Sequence, residues 1–116
     1  MAGDIRKNRL GSEIRKFIST LLISEYGDSP IAMISVHKVS VMKDLRTADI
    51  FYSTFSNENI SEIQKFLDAN TKSIRHRLAG HLKTMKFIPQ IRFIYDDSVE
   101  KMVRLEKIFD SIKQEE

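Results

Sequence analysis

The residues of this sequence whose spacing points to chemistry are basic, and they line one side of a predicted helix. Four of them fall within an arc of roughly 100° when residues advance by about 100° each: Lys72, Arg75, His76 and Lys83. No acidic residue interrupts the row or offers an intrahelical ion pair. Such a row can bind the phosphates of a nucleic acid, with strong salt dependence and little sequence choice. A solvated basic face is the alternative interpretation.

The charge of the whole chain is concentrated in the same region. The 116 residues include 19 Lys and Arg against 16 Asp and Glu, a net charge of +3. Residues 69–95 contain six Lys or Arg and no acid, whereas residues 21–68 and 96–116 each contain four bases and seven acids. Concentrated positive charge suggests a polyanionic partner, RNA or DNA. The acidic C-terminal segment could instead balance this charge in space.

Residue types that enzymes and metal sites depend on are sparse. The absence of cysteine excludes disulfides, thiolate metal sites and a cysteine nucleophile. His37, His76 and His81 do not follow a metal-binding pattern, and the sequence contains no P-loop and no GxGxxG motif. Asp96 and Asp97 are adjacent carboxylates at a predicted strand end, where a helix cap is the better interpretation. We therefore expect a protein that is not an enzyme and requires no cofactor or metal.

Hydrophobic periodicity predicts the elements that position the basic row. The predicted elements are a helix over 9–26, strands over 34–42, 49–55 and 90–95, one kinked helix or two helices over 61–85, and a last helix over 99–112. Gly27 is the expected C-cap of the first helix and Ser61 the expected N-cap of the next. The polar stretch Asn70–Ser73 is the point where that second helical region weakens.

The order α-β-β-α-α-β followed by a helix predicts an α+β fold, with a three-stranded sheet and its helices on one face. A ferredoxin-like split βαβ fold begins similarly, but the helix-first order and the adjacent helix pair favour a type II K-homology arrangement. We expect residues 1–116 to form a single domain. Its core should include five apolar side chains: Phe17, Leu21, Phe66, Leu78 and Phe93. No apolar run is long enough to span a membrane, which favours a cytoplasmic protein.

Two stretches of the chain carry a family resemblance. Residues 43–53, KDLRTADIFYS, resemble the "DL-x-x-A-x-V-x-x-S" hairpin of ribosome-binding factor A proteins. Residues 73–75, followed by KFIPQIRFIYDDS over 86–98, resemble the "IR…P-x-L-x-F-x-x-D-x-S" signature of the same family. The opening Arg6 and Arg9 and the helix after them fit as well. The order and spacing of these motifs cover nearly the whole chain.

The resemblance implies a type II K-homology fold, binding to the immature small ribosomal subunit near the 5′-terminal helix of its RNA, and no catalysis. It also implies a role in late maturation and processing of small-subunit ribosomal RNA that matters most in the cold. The chain departs from the family in two places. Residues 69–73 hold no glycine where the family often has an Ala-x-Gly kink, and Asp28-Ser29-Pro30 replaces the usual Asp-Pro-Arg.

We expect the RNA contacts to come from the basic helix, the strand after it and the N-terminal arm. These residues are Arg6, Lys7, Arg9, Lys72, Arg75, Arg77, Lys83, Lys86 and Arg92. Arg75 and Lys83 should project from the same side of one helix, so that reversing both charges disturbs the surface rather than the core. An alternative hypothesis is a protein-interaction adaptor without direct RNA binding, whose C-terminal helix binds a partner chain through exposed apolar residues. We expect a monomer that does not bind membranes.

Overall fold

A computed structural model describes residues 2–29, 34–54, 60–83, 85 and 88–115, apart from the side chains of 2–4, 99, 100, 103, 111 and 113–115. The elements of the described residues are α1 (Ala2–Glu25), β1 (Ile34–Val41), β2 (Thr47–Thr54), α2 (Ile60–His81), β3 (Gln90–Tyr95) and α3 (Ser98–Glu115). The strands form one sheet in the order β1-β2-β3. β1 is antiparallel to β2, whereas β3 is parallel to it. The predicted α+β fold with a three-stranded sheet is confirmed.

One face of the sheet carries the hydrophobic core, because side chains alternate along each strand. Ala48, Ile50 and Tyr52 of β2 are fully buried, and Ile91 and Phe93 of β3 lie on the same face. α1 packs against β1 and α2 against β3, and both helices join a single cluster of buried residues. These two helices therefore share one face, as expected. α3 is the exception, since all of its described side chains are exposed.

The five side chains expected in the core are buried to different degrees. Leu21, Leu78 and Phe93 are buried, whereas Phe17 and Phe66 are partly buried and pack against the core from its margin. The Phe17 ring stacks on the imidazole of His81, with ring centroids 4.6 Å apart. This contact joins α1 to the C-terminal end of α2.

α2 is one continuous helix, so of the two alternatives predicted near Asn70 the pair of separate helices does not occur. The Asn70 side-chain amide donates to the Phe66 carbonyl at 2.8 Å, and the Thr71 hydroxyl donates to the Leu67 carbonyl at 2.7 Å. These polar groups bond the preceding turn of the helix instead of competing with it. Between residues 60 and 79 there is neither proline nor glycine to interrupt the helix. The predicted helix pair is thus a single 22-residue helix.

Helix ends also differ from the sequence-based predictions. α1 begins at Ala2 rather than near residue 9, and Ser61 lies inside the first turn of α2 instead of preceding it. Gly27 has no positive φ, so it is not a left-handed cap. The turn after α1 is closed instead by Ser29, whose amide and hydroxyl both donate to the Tyr26 carbonyl, at 3.0 and 2.7 Å.

The hairpin between β1 and β2 is held by a tight turn. Leu45 has a φ of 61°, an uncommon conformation for a residue with a branched side chain. Its amide donates to the Met42 carbonyl at 2.9 Å, and the Arg46 amide donates to the Asp44 carboxylate at 2.9 Å. The Asp-Leu pair of the hairpin motif thus occupies the two positions that shape this turn.

A polar network that runs from the buried Tyr52 to the surface ties α2 to both strands beneath it. The Tyr52 hydroxyl donates to the side-chain carbonyl of Gln64. The Gln64 amide donates in turn to the Phe93 carbonyl at 2.9 Å and to the Asp68 carboxylate at 3.0 Å. Burial, followed by the negative charge of Asp68, raises the pKa of Tyr52 to about 12. One glutamine therefore connects β2, α2 and β3.

A glycine allows the closest approach of α1 to the sheet, and its replacement should destabilise the fold. A Cβ at Gly11 would lie 2.7 Å from the Val39 carbonyl oxygen, whereas a Cβ at Gly80 meets nothing within 4 Å. By helix propensity alone, replacing either glycine with alanine should stabilise the folded protein by roughly 0.5–1 kcal/mol. We expect Gly80→Ala to stabilise by about that amount and Gly11→Ala to destabilise by about 1–3 kcal/mol, since overpacking outweighs propensity. Urea unfolding measures both, and equal stabilisation by the two variants would contradict this packing.

The raised pKa of Tyr52 predicts a loss of stability in alkali. The unfolded chain loses this proton near the ordinary pKa of 10.0, while the folded protein keeps it until about 12. The stabilising contribution is therefore complete below pH 10 and is lost as the pH rises from 10 towards 12. Ultraviolet titration of the phenolates should show a late transition that is lost in Tyr52→Phe. A late transition that survives in Tyr52→Phe would contradict the assignment.

Candidate nucleic-acid interface

α2 separates its apolar and basic residues onto different sides. Its buried residues are Ile63, Leu67, Ile74 and Leu78, which recur at helical spacing and face the sheet. The basic residues of its second half border an open cleft of about 790 Å³, which also involves the end of α1 and the residues before β3. We call this cleft the basic groove. Its lining residues are Glu25, Tyr26, Lys72, Ser73, Arg75, His76, Arg77, Ala79 and Ile88.

Arg75 lies in the groove but is not a free surface cation. Its Nε donates to the Pro89 carbonyl at 3.0 Å, and one Nη donates to the Ile88 carbonyl at 2.8 Å. The side chain is partly buried. The sequence-based expectation that Arg75 projects free of the fold is therefore wrong, because two backbone carbonyls before β3 lie within reach of its guanidinium.

The other cations of the groove differ in their partners. Arg77 forms an ion pair with Glu25 at the end of α1, with an N–O distance of 2.9 Å. Lys72 and His76 are exposed and have no hydrogen-bond or ion-pair partner among the described residues. These two side chains are the ones in the groove that can accept a phosphate without first giving up a bond.

Lys83 lies beyond the helix on which it was predicted. α2 ends at His81, and Leu82 follows as a buried residue whose carbonyl accepts from the Met85 amide at 2.9 Å. Lys83 is exposed in this turn and does not line the groove. The sequence predicted a longer helix because apolar residues continue at helical spacing through Leu82 and Met85, beyond the last residue of α2. Lys86 lies outside the described residues.

Arg6, Lys7 and Arg9 belong to α1 and do not form a separate arm. Arg6 and Arg9 are exposed, while Lys7 is partly buried and has an interaction partner. At 1.5 Å per residue, Arg9 lies roughly 24 Å along the helix from Glu25, which borders the groove. The structure thus places this N-terminal cluster and the groove at opposite ends of one helix.

Arg92 lies on the face of the sheet opposite the core. Its Nε and one Nη donate to the two carboxylate oxygens of Asp49, at 2.8 and 3.0 Å. The two residues are directly paired between β2 and β3. The hydrogen bonds and charge of Asp49 raise the pKa of Arg92. Because Asp49 is buried, removing its partner would leave an uncompensated carboxylate. Arg92 is therefore tied to the sheet, although its side chain remains largely exposed.

Sequence reasoning missed the residues that shape the groove without carrying charge. Tyr26 and Ile88 line its apolar part, and each belongs to a connection rather than to a regular element. Neither position carries a motif that distinguishes it from an ordinary core residue. The sequence contains one weak indication of the Asp49–Arg92 pair: an acidic residue within an apolar strand requires a partner.

The described residues include no cluster of three or more His, Cys, Asp or Glu able to hold a metal ion. Among the helices described, none has the length and apolar character needed to cross a membrane. The adjacent carboxylates after β3 act at the start of α3, where Asp96 accepts from the Ser98 amide at 3.0 Å and Asp97 pairs with Lys101. This hydrogen bond lowers the pKa of Asp96.

The fold is α+β and begins with a helix, and it has a three-stranded sheet with two long helices on one face. This arrangement defines a type II K-homology-like protein. In this chain a basic groove lies at one end of the helices. The family model described as ribosome-binding factor A matches residues 6–109. The chain belongs to the ribosome-binding factor A family.

Curated relatives agree with this assignment, and solved structures agree with the fold. Ribosome-binding factor A of Coxiella burnetii (strain Dugway 5J108-111) is 34% identical over 105 residues, which are 90% of this chain and 87% of that protein. Its counterpart from Halothermothrix orenii is 37% identical over 112 residues, covering 96% and 91%. The crystal structure of ribosome-binding factor A from Thermus thermophilus is similar in fold, with a TM-score of 0.65 and 17% identity over 77% of this chain and 94% of that one. The solution structure of a Thermotoga maritima protein described as a putative ribosome binding factor A is also similar in fold. Its TM-score is 0.60 and its sequence identity is 22%, over 76% of this chain and 88% of that one.

The carbonyl bonds of Arg75 predict a role in stability that the neighbouring lysine does not share. Arg75→Met should destabilise the protein by roughly 1.5–3 kcal/mol, because it removes two charged hydrogen bonds and leaves two carbonyls without their donor. Lys72→Met, on the same groove, should change stability by no more than about 0.5 kcal/mol. Urea unfolding of both variants tests this difference. Equal stabilities would show that Arg75 is a surface residue after all.

Proposed function

We propose that this protein is a ribosome assembly factor that binds the immature small ribosomal subunit through its RNA and assists late maturation and processing of that RNA. Family membership supports the ribosomal partner, because the relatives are named for ribosome binding. The basic groove supports the RNA contact, and the observation that carries the proposal is that Lys72 and His76 are exposed there without a partner among the described residues. The protein acts by binding, as one domain, without catalysis of its own.

The contacts of the groove favour recognition of charge and shape over recognition of sequence. Lys72 presents a point charge to solvent, and a lysine ammonium binds phosphate without geometric selection. His76 beside it can donate a hydrogen bond to a phosphate oxygen. Arg75 is held by backbone carbonyls and therefore positions the groove wall. Arg77 can reach a phosphate only in competition with Glu25. The proposed target is a folded RNA backbone in the region of the 5′-terminal helix, and the proposed place of action is the cytoplasm, where small subunits mature.

Cold dependence follows from the same proposal. RNA duplexes that must rearrange during maturation do so more slowly at low temperature, so a factor that stabilises one arrangement matters most there. The adaptor hypothesis predicts binding that does not weaken as salt is added, because a contact between apolar protein surfaces releases no counterions.

Reversing two lysines should weaken subunit binding without unfolding the protein. Lys72 and Lys83 are exposed and make no described contact, which makes Lys72→Glu with Lys83→Glu a cleaner test than a reversal that includes Arg75. We expect binding to isolated small subunits to fall strongly. The dependence of the logarithm of affinity on the logarithm of salt concentration should flatten by about 1 for each lost phosphate contact.

The matched control is Lys43→Glu with Lys107→Glu, which alters net charge equally at exposed lysines of the hairpin turn and of α3. Sedimentation with small subunits over a salt series measures binding, and circular dichroism confirms folding. Wild-type affinity in the Lys72→Glu, Lys83→Glu variant, which changes one lysine of the groove and one of the turn after α2, together with loss of binding in the control, would contradict the proposed interface. Salt-insensitive binding of the wild type would favour the adaptor.

A further inference from the structure

Glu25 brings a negative charge into the basic groove. Of the described residues that line the groove, it alone is acidic, and it lies beside Lys72, Arg75 and Arg77. Its carboxylate meets the guanidinium of Arg77 at an N–O distance of 2.9 Å. In the free protein this carboxylate offsets the mutual repulsion of the groove cations. An RNA phosphate in the same place would have the same effect.

Glu25 gains no stabilisation from the helix to which it belongs. It is the last residue of α1, where the aligned peptide dipoles leave a partial negative charge. The last turn of α1 contains no basic residue to compensate. The favourable partner of the Glu25 charge is therefore Arg77 of α2, on the other side of the groove.

The contact between Glu25 and Arg77 is open to competition from a ligand. The side chain of Arg77 is 58% exposed and that of Glu25 is 35% exposed. Ion pairs in contact with solvent are weak, because water competes for both charges. A guanidinium can offer a phosphate the same parallel hydrogen bonds that it offers a carboxylate. A phosphate in the groove can therefore take the place of the carboxylate on Arg77.

We propose that Glu25 is an intramolecular competitor for the RNA site, which occupies Arg77 in the free protein and gives it up to one phosphate of the RNA backbone. This inference rests on the proposed function, since the exchange requires RNA in the groove. Glu25 acts through Arg77 and does not bind the RNA itself. Its displaced carboxylate remains near the phosphate, so the exchange lowers the affinity of the groove for RNA.

Two substitutions test the exchange through binding to isolated small subunits. Glu25→Gln removes the competing charge and should raise the affinity about threefold, the effect of one exposed ion pair. The salt dependence should not change, because Arg77 contacts the phosphate in both proteins. Arg77→Met removes that contact, so it should lower the affinity and flatten the slope of log affinity against log salt concentration by about 1.

The matched control is Glu62→Gln, which changes the charge equally at an exposed acid in the first turn of α2. Glu62 lies roughly 22 Å along α2 from Arg77, well beyond the Debye length at physiological salt, so this variant should bind like the wild type. Sedimentation with small subunits over a salt series gives the affinity and its slope for each full-length variant. Circular dichroism confirms that the variants fold.

Each contrary result identifies what is wrong. If Glu25→Gln binds no more tightly than the control, Glu25 does not compete for the site. If its slope steepens by about 1, the carboxylate stays on Arg77 in the wild-type complex and there is no exchange. An unchanged slope in Arg77→Met would also overturn the exchange, because Arg77 would then make no phosphate contact. A wild type that does not bind small subunits, or binds them independently of salt, would overturn the proposed function and the exchange with it.

Discussion

The parallel pairing of β2 with β3 is the constraint on which the rest of this structure depends. Parallel neighbours cannot be joined by a tight turn, so the chain must cross from one end of the sheet to the other. α2 makes that crossing. Gln64 binds the carbonyl of Phe93 near the first end of the crossing, while Arg75 binds the carbonyls of Ile88 and Pro89 near the second. The wall of the basic groove follows from this second attachment.

Arginine and lysine side chains make different kinds of contact in this protein. The guanidinium groups of Arg75, Arg77 and Arg92 each have a partner of defined geometry: backbone carbonyls, Glu25 and Asp49 respectively. A planar group with several donors suits such fixed contacts, whereas a lysine ammonium suits a mobile contact with phosphate. The charge available to a ligand in the groove is therefore smaller than the sequence suggests, and Lys72 carries it without a partner among the described residues.

Local patterns in the sequence were sufficient to predict the strands, the hairpin and the apolar faces of the helices, because each depends on neighbours only a few residues away. The two-helix alternative near Asn70 was wrong, since the helix satisfies the side chains of Asn70 and Thr71 through its own carbonyls. The role of Arg75 could not be predicted, because its partners come from a connection that only tertiary packing brings alongside α2. The same holds for Tyr26 and Ile88, which become groove residues through placement and not through residue type.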